Sequence, residues 1–219
     1  MSPITVAVSG FSSEVGKTTL LCELLSAFPG WEAIKMTRGH YRSCGKDPHA
    51  CCVSHLLGDE PVIRSGRAQT YAPGKDTGRY WDAGASNVHW VIVTDNQVEQ
   101  GIKLALDHVQ AAGVLIEGNS FLKFIDVDFT IMVARAEGCK IKASARRALP
   151  KSSALYLFEA GEETLTARER FAAWCESSAD KNLISALPVY TRDMLPQLVS
   201  RIRAIIRHSP LDAIMSAGV

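Results

Sequence analysis

The residues best suited to chemistry lie in one glycine-flanked segment near the start of the chain, 10–19, which reads GFSSEVGKTT. The segment follows an apolar, β-branched run, Ile4–Val8, and precedes a leucine-rich run that begins at Leu20. A loop between a strand and a helix turns successive backbone N–H groups, and the positive end of the helix dipole, towards one point. The segment is therefore predicted to bind the phosphates of a nucleotide. The alternative is an ordinary turn between a strand and a helix.

The residues of this loop have separate predicted roles. Lys17 would reach the terminal phosphates, and the hydroxyl of Thr18 would hold Mg²⁺. The spacing departs from the usual G-x-x-x-x-G-K-[ST] pattern. Gly10 lies six residues before Gly16 instead of five, so the loop is one residue longer. The predicted nucleotide-binding residues are Gly10, Ser12, Ser13, Glu14, Val15, Gly16, Lys17, Thr18, Thr19 and Lys35.

Charged residues lie at the ends of two further predicted strands. Ligands of open α/β sheets gather at the carboxyl ends of the strands. Lys35 lies near the end of the short strand 31–36, so its ammonium group is predicted to lie near the phosphates. Glu117 ends the apolar strand Val114–Ile116, where a carboxylate can support Mg²⁺ or orient a water molecule. The alternative for each is a strand-end side chain that faces solvent.

A segment rich in cysteine and histidine, 39–58, is predicted to be an insert. An Asp-Pro pair favours the start of a helix, here running from Pro48 to Leu57. Cys51 and His55 are four residues apart and would share one face of that helix. With Cys44 from the preceding loop, they form a candidate tetrahedral zinc site. The alternative is that these cysteines pack on the apolar side of the helix.

Composition and charge exclude several classes of protein. A chain of 219 residues that is 47% hydrophobic can bury the core of one α/β domain. A formal net charge of +1 gives no basic face for nucleic acid or for an anionic membrane. The N-terminus has neither a basic leader region nor an apolar run long enough to span a bilayer. We therefore expect a cytoplasmic protein with no nucleic-acid or membrane partner.

The elements that must position these residues alternate between strand and helix. The predicted strands are 4–8, 31–36, 87–94, 114–117, 129–134, 155–158 and 183–187. The predicted helices are 19–28, 48–57, 97–112, 166–175 and 193–207, with a short one that ends at Gly84 and a loop over 61–72. This order predicts a three-layer α/β fold with a doubly wound, mostly parallel sheet of about seven strands. Together with the loop, it predicts a single P-loop nucleotide-binding domain over residues 1–219.

Basic residues are concentrated between the predicted strands 129–134 and 155–158. They are Lys140, Lys142, Arg146, Arg147 and Lys151. A stretch of this kind is typical of a solvated helix face, and contact with an anionic ligand is the alternative.

Several segments together resemble known phosphate-loop proteins. The loop, in which Glu14–Thr18 reads EVGKT, resembles that of dethiobiotin synthetase. Three further segments are similar to the molybdopterin-guanine dinucleotide biosynthesis protein B family: Ile34-Lys35, the segment Gly74–Ala85, which reads GKDTGRYWDAGA, and Val114–Gly118. Both families belong to one broad class, and the resemblance covers residues 4–118.

The resemblance implies a GTP-binding accessory protein for maturation of the molybdenum cofactor. It implies that Thr18, Asp76 and Glu117 surround Mg²⁺, and that Lys17, Asp76 and Glu117 are the catalytic residues. The preference for GTP over ATP rests on the resemblance alone, because the chain has no Asn-Lys-x-Asp motif of the kind that reads guanine. The expected partners are GTP or ATP, a cofactor-biosynthesis protein and a second copy of the chain in a homodimer.

Two other functions remain open at this stage. One is an ATP-dependent ligase or synthetase of the dethiobiotin synthetase type, in which Lys35 and Lys75 would steady a small carboxylic substrate. The other is a metal carrier regulated by nucleotide, which would use Cys44, Cys51 and His55. Whether the chain is an enzyme also stays open, with slow hydrolysis of GTP or ATP as the expected activity.

Overall fold

Eight strands form one sheet with helices on both faces in the computed structural model of this chain, which describes residues 2–39, 53–136, 140–158 and 164–208. The strands are β1 (Ile4–Gly10), β2 (Glu32–Arg38), β3 (Val62–Ser65), β4 (Val88–Val93), β5 (Gly113–Glu117), β6 (Phe129–Arg135), β7 (Ala154–Phe158) and β8 (Val189–Tyr190). The helices are α1 (Lys17–Ala27), α2 (Arg67–Thr70), α3 (Asp76–Asp82), α4 (Val98–Asp107), α5 (Ala143–Ala148), α6 (Thr164–Glu176), α7 (Lys181–Ser185) and α8 (Leu195–His208). Short 3-10 turns are Ser54–Leu56, Asp95–Gln97, Ser120–Lys123, Leu149–Lys151 and Arg192–Met194.

The strand order places the strands that carry the predicted site next to one another. The order is β3-β4-β2-β5-β1-β6-β7-β8, so β1 lies between β5 and β6. Among the described strands, neighbours run parallel except β3, which pairs antiparallel with β4. The carboxyl ends of β1, β2 and β5 therefore meet at one edge. This confirms the predicted doubly wound, mostly parallel α/β sheet, with eight strands where about seven were expected.

Apolar layers cover both faces of the sheet. On one face, Leu20 and Leu24 of α1 and Leu198 of α8 belong to one buried apolar cluster. On the other, Ile102 of α4 and Phe171 of α6 belong to a second cluster. Parallel strands that are covered on both sides read as continuous apolar runs, which is why β1, β5 and β6 were recognisable in the sequence. Within the described residues, no helix combines the length and apolarity needed to cross a bilayer.

Two elements differ from the sequence-based prediction. The predicted loop 61–72 contains β3 and α2, and Ser65 of β3 lies opposite His89 of β4. A four-residue edge strand is too short to show a clear period. The predicted strand 183–187 was also wrong, because this region contains α7, which buries Ile184, and the strand follows it as β8.

Helix ends account for the remaining differences. Helix α4 ends at Asp107, five residues before the predicted end at Ala112. Helix α6 begins at Thr164, two residues before the predicted start at Thr166. Residues 48–52 of the helix predicted over 48–57 lie outside the described residues. Residues 53–57 are described, and they contain the 3-10 turn Ser54–Leu56.

Candidate nucleotide site

The loop that links β1 to α1 depends on the glycine at each end. Gly16, directly before α1, has φ of 96°, in the left-handed region that favours glycine. A Cβ at this position would lie 2.3 Å from Cγ of Phe158, so a side chain is excluded by contact as well. At Gly10 a Cβ would lie 2.8 Å from Cδ of Lys17. The lysine stem therefore packs across the glycine that starts the loop.

Lys17 lies folded against its own loop. Its Nζ donates to the backbone oxygen of Ser12 at 2.9 Å. Burial lowers the pKa of Lys17 below its ordinary value, and the positive charges of Lys35 and Lys142 act in the same direction. The Lys17 ammonium has three N–H donors, and the contact with Ser12 uses one of them. The other two can donate to an anionic ligand.

A second group of residues brings a hydroxyl together with two carboxylates. Thr18 Oγ1 lies 3.0 Å from Asp76 Oδ1 and 2.9 Å from Glu117 Oε2. Thr18 is in the first turn of α1, Asp76 begins α3 and Glu117 ends β5. Lys35, from β2, places its Nζ 2.5 Å from Asp76 Oδ2 and 2.6 Å from Glu117 Oε1. The predicted residues from four elements therefore meet at one point.

The charges of this group stabilise one another. Burial would lower the pKa of Lys35, but the carboxylates of Glu117 and Asp76 outweigh it and raise that pKa above its usual range. Burial would likewise raise the pKa of Asp76, but the Lys35 ammonium outweighs it and lowers the pKa. At neutral pH Lys35 and Asp76 are therefore both charged. The donor set is made of oxygen, which is the preference of Mg²⁺.

Two neighbouring residues support this group and were missing from the predicted site. Tyr80 is fully buried and donates its hydroxyl hydrogen bond to Glu117 Oε2. Burial raises the pKa of Tyr80 well above its usual value, so the phenol stays protonated and remains a donor. Arg79 Nη2 donates to Thr19 Oγ1 at 3.0 Å. The sequence did hold a signal, since Tyr80 follows Asp76 by four residues and shares its helix face.

A cleft of about 590 Å³ opens above these residues. Its volume lies within the range of cofactor sites. Arg135 and Phe158, the last residues of β6 and β7, also line the cleft. The guanidinium carbon of Arg135 lies 6.0 Å from the centre of the Phe158 ring. Both were missing from the prediction, although the rule that ligands gather at strand ends applies to them as well. The strand, the glycine-flanked loop and the helix that follows it lie within the doubly wound, mostly parallel α/β sheet, as predicted.

Of the three predicted zinc residues, His55 is among the described residues. Cys44 and Cys51 lie outside the described residues, and His55 is exposed in the 3-10 turn that contains it. Within the described part of the chain, no group of three or more His, Cys, Asp or Glu side chains is arranged to hold a metal ion. The zinc site therefore stays a prediction.

Comparisons with known proteins give structural neighbours only. No family model and no curated protein matches the sequence. The apo form of LpxK from Aquifex aeolicus, in complex with ATP, aligns with 17% identity and a TM-score of 0.44 over 74% of this chain and 53% of LpxK. The Zn(II)-bound YjiA GTPase from E. coli aligns with 18% identity and a TM-score of 0.43 over 87% of this chain and 58% of YjiA. This chain thus spans 53% to 58% of the length of these proteins.

Proposed function

We propose that this chain binds a nucleoside triphosphate with Mg²⁺ in the large cleft and hydrolyses it slowly. The observation that carries the proposal is the position of Thr18, whose hydroxyl lies within 3.0 Å of both Asp76 and Glu117 and directly follows Lys17. A hydroxyl and two carboxylates beside a phosphate-binding lysine are the groups that a Mg²⁺–triphosphate needs. The nucleotide phosphates would complete the coordination of the ion.

The loop binds the phosphates through backbone N–H groups and Lys17. In the described structure the Lys17 ammonium donates to the Ser12 carbonyl. On nucleotide binding this contact gives way to the β- and γ-phosphate oxygens, which are charged and therefore stronger acceptors. The loop thus exchanges an internal hydrogen bond for contacts with the ligand.

The two carboxylates have different roles in this proposal. Glu117 is 3% exposed and already contacts Thr18, Lys35 and Tyr80, so it orients these groups. The Asp76 side chain is 43% exposed and can reach a water molecule as well as the metal. When bound, Mg²⁺ would neutralise charge on the phosphates. Asp76 is therefore the residue that we assign to orienting the attacking water.

We further infer that the chain is an accessory NTPase of the kind that acts in molybdenum cofactor maturation, with a preference for GTP. The support is the resemblance to the molybdopterin-guanine dinucleotide biosynthesis protein B family, carried by segments that contribute Lys35, Asp76 and Glu117 to the cleft. A cofactor-biosynthesis protein is then the expected partner. Nucleotide state would change the affinity for that partner.

Titration with fluorescent ATP and GTP analogues, with and without Mg²⁺, tests the proposal. We expect saturable binding that Mg²⁺ strengthens, and tighter binding of the guanine nucleotide. Hydrolysis is measured in the same samples as phosphate release. Turnover without any added acceptor supports the accessory NTPase, whereas turnover that requires a small acid supports the synthetase alternative. Absence of binding at millimolar nucleotide would refute both.

A further inference from the structure

A second cleft, of about 230 Å³, borders Lys17 but neither Asp76 nor Glu117. It shares Ser13, Lys17, Met36 and Gly118 with the larger cleft, so the two are adjacent. The phosphate loop therefore forms a wall of both clefts. Nothing in the proposed binding of a Mg²⁺–nucleotide uses the second one.

The second cleft differs from the first in its charge. Its described lining includes three cations, Lys17, Arg38 and Lys142, and no carboxylate. Hydroxyl groups, among them those of Ser120 and Ser144, make up much of the remaining lining. The larger cleft, in contrast, is lined by three acidic residues as well as four basic ones. Cations that are confined to one concave surface attract an anion, and the hydroxyls supply further donors.

Two of these cations, Arg38 and Lys142, lie outside the phosphate loop and are held in place by contacts with other residues. Arg38, at the end of β2, places Nη1 2.6 Å from Asp95 Oδ1, and the Asp95 side chain is 61% exposed. An ion pair as open to water as this one is weak, and the guanidinium keeps further N–H donors for a ligand. Lys142 donates from Nζ to Ser13 Oγ at 2.6 Å and from its backbone N to the Phe11 oxygen at 2.8 Å. Lys142 is therefore fixed to the phosphate loop itself.

We propose that the second cleft binds the carboxylate or phosphate group of a small second ligand, beside the terminal phosphate of the nucleotide. Arg38 and Lys142 are its cationic contacts, and the serine hydroxyls donate to the remaining oxygens. The inference rests on the proposed function, because it takes the larger cleft to hold the triphosphate. Lys17 borders both clefts, so one ammonium group separates the two anions and reduces their repulsion.

This assignment replaces the sequence-based expectation that Lys35 and Lys75 would steady a small acid. Lys35 is engaged by Asp76 and Glu117, at 2.5 Å and 2.6 Å. Lys75 is exposed directly before α3 and lines neither cleft. Arg38 and Lys142 of the second cleft lie beside the loop, and neither is held by two carboxylates as Lys35 is.

The test begins with the full chain saturated with Mg²⁺ and a non-hydrolysable triphosphate analogue, so that the phosphate loop is occupied. Inorganic phosphate or malonate is then titrated in, and binding is followed by calorimetry. The variant is the double substitution Arg38→Gln with Lys142→Gln. The matched control, Lys140→Gln with Arg147→Gln, removes the same charge from exposed positions outside both clefts.

We expect saturable binding of phosphate or malonate to the native chain and to the control, weakened by ~10-fold or more in the cleft variant. The probe that binds more tightly identifies the anionic group. An unchanged melting temperature of the cleft variant without ligands shows that it is folded. If the analogue binds but neither probe does, or if both double variants bind the probe equally, the second-cleft assignment is wrong and the proposed function stands. If the nucleotide analogue does not bind the native chain, the second-cleft assignment and the proposed function are both wrong.

Discussion

Asn119 and Gly10 are joined by two hydrogen bonds: Gly10 N donates to Asn119 Oδ1 at 2.9 Å, and Asn119 Nδ2 donates to the Gly10 oxygen at 2.8 Å. One amide side chain thus satisfies both backbone groups of the residue that opens the loop. Asn119 follows β5 by two residues, so it ties the start of the loop to the strand that carries Glu117. This contact fixes the loop despite its extra residue.

Replacing Asn119 by Asp tests that contact. The carboxylate has no N–H for the Gly10 oxygen and places two acceptors near it, while the size of the side chain is unchanged. We expect the nucleotide affinity to fall by ~10-fold, which corresponds to the loss of one or two hydrogen bonds. Titration with a fluorescent nucleotide measures the effect. Asn182→Asp is the control, because Asn182 lies in α7 and borders neither cleft. Equal losses in the two variants would contradict the prediction.

Lys17→Ala should remove the charged contacts with the phosphates. These contacts contribute ~1.5–3 kcal/mol, so the affinity should fall on the order of 10- to 100-fold. Lys103→Ala removes an equal charge from an exposed pair with Glu99 on α4 and should leave the affinity unchanged. Fluorescence titration of both variants at one salt concentration provides the comparison. Wild-type affinity in Lys17→Ala would mean that this loop does not hold the triphosphate.

Glu32 should be essential for stability but not for nucleotide binding. Its buried carboxylate lies 2.6 Å from His89 Nε2 and accepts hydrogen bonds from the backbone N–H groups of Gln110 and Ala111, at 3.0 and 2.9 Å. Glu32→Ala leaves these buried groups without a partner, so the free energy of unfolding should fall by about 3–5 kcal/mol.

Urea denaturation measures this loss, with Glu99→Ala as the control for an exposed carboxylate, expected to change stability by less than about 1 kcal/mol. Glu32 begins β2, at the opposite edge of the sheet from the loop. The nucleotide affinity of any folded Glu32→Ala protein should therefore match that of the wild type. A stability loss no larger than that of the control would show that the network is not stabilising.

Cys22 should react slowly with alkylating reagents. Burial raises the pKa of the Cys22 thiol to about 11, against the opposing charge of Arg79. At pH 8 the raised pKa leaves about 100-fold less thiolate than an ordinary thiol of pKa 9 would have, and the thiolate is the reactive form. Mass spectrometry after iodoacetamide treatment should show Cys22 labelled far more slowly in the folded chain than in urea. Similar rates in the two conditions would refute the shift.

The convergence of the loop with Lys35 and Glu117 could be predicted from the sequence. Each lies at or near the end of an apolar run, and parallel strands bring such ends to one edge. The contacts of Asn119 and Tyr80 are harder to predict, because they join positions 109 and 37 residues apart and depend on the strand order and on the start of α3. Arg38 is harder still, since it belongs to no recognisable motif, and Lys142 was named only as one of five basic residues with an anionic ligand as the alternative.

Elements at the margin of the sheet were the least predictable. Strand β3 is four residues long and, among the described strands, pairs only with β4, so it needs no continuous apolar run. Helix α7 has five residues, one of them buried, and its short apolar run around Ile184 looks the same as a strand. In both cases tertiary contacts decide the conformation, and local sequence does not.

Lys35 acts as an internal counter-ion at the proposed metal site. Its ammonium group already neutralises the carboxylates of Asp76 and Glu117, so a free divalent ion must compete with a tethered one for the same oxygens. A triphosphate that arrives with the metal offers the displaced ammonium a new anionic partner. Metal and nucleotide should therefore enter together, each raising the affinity for the other, and the carboxylate pair should bind Mg²⁺ poorly when the nucleotide is absent.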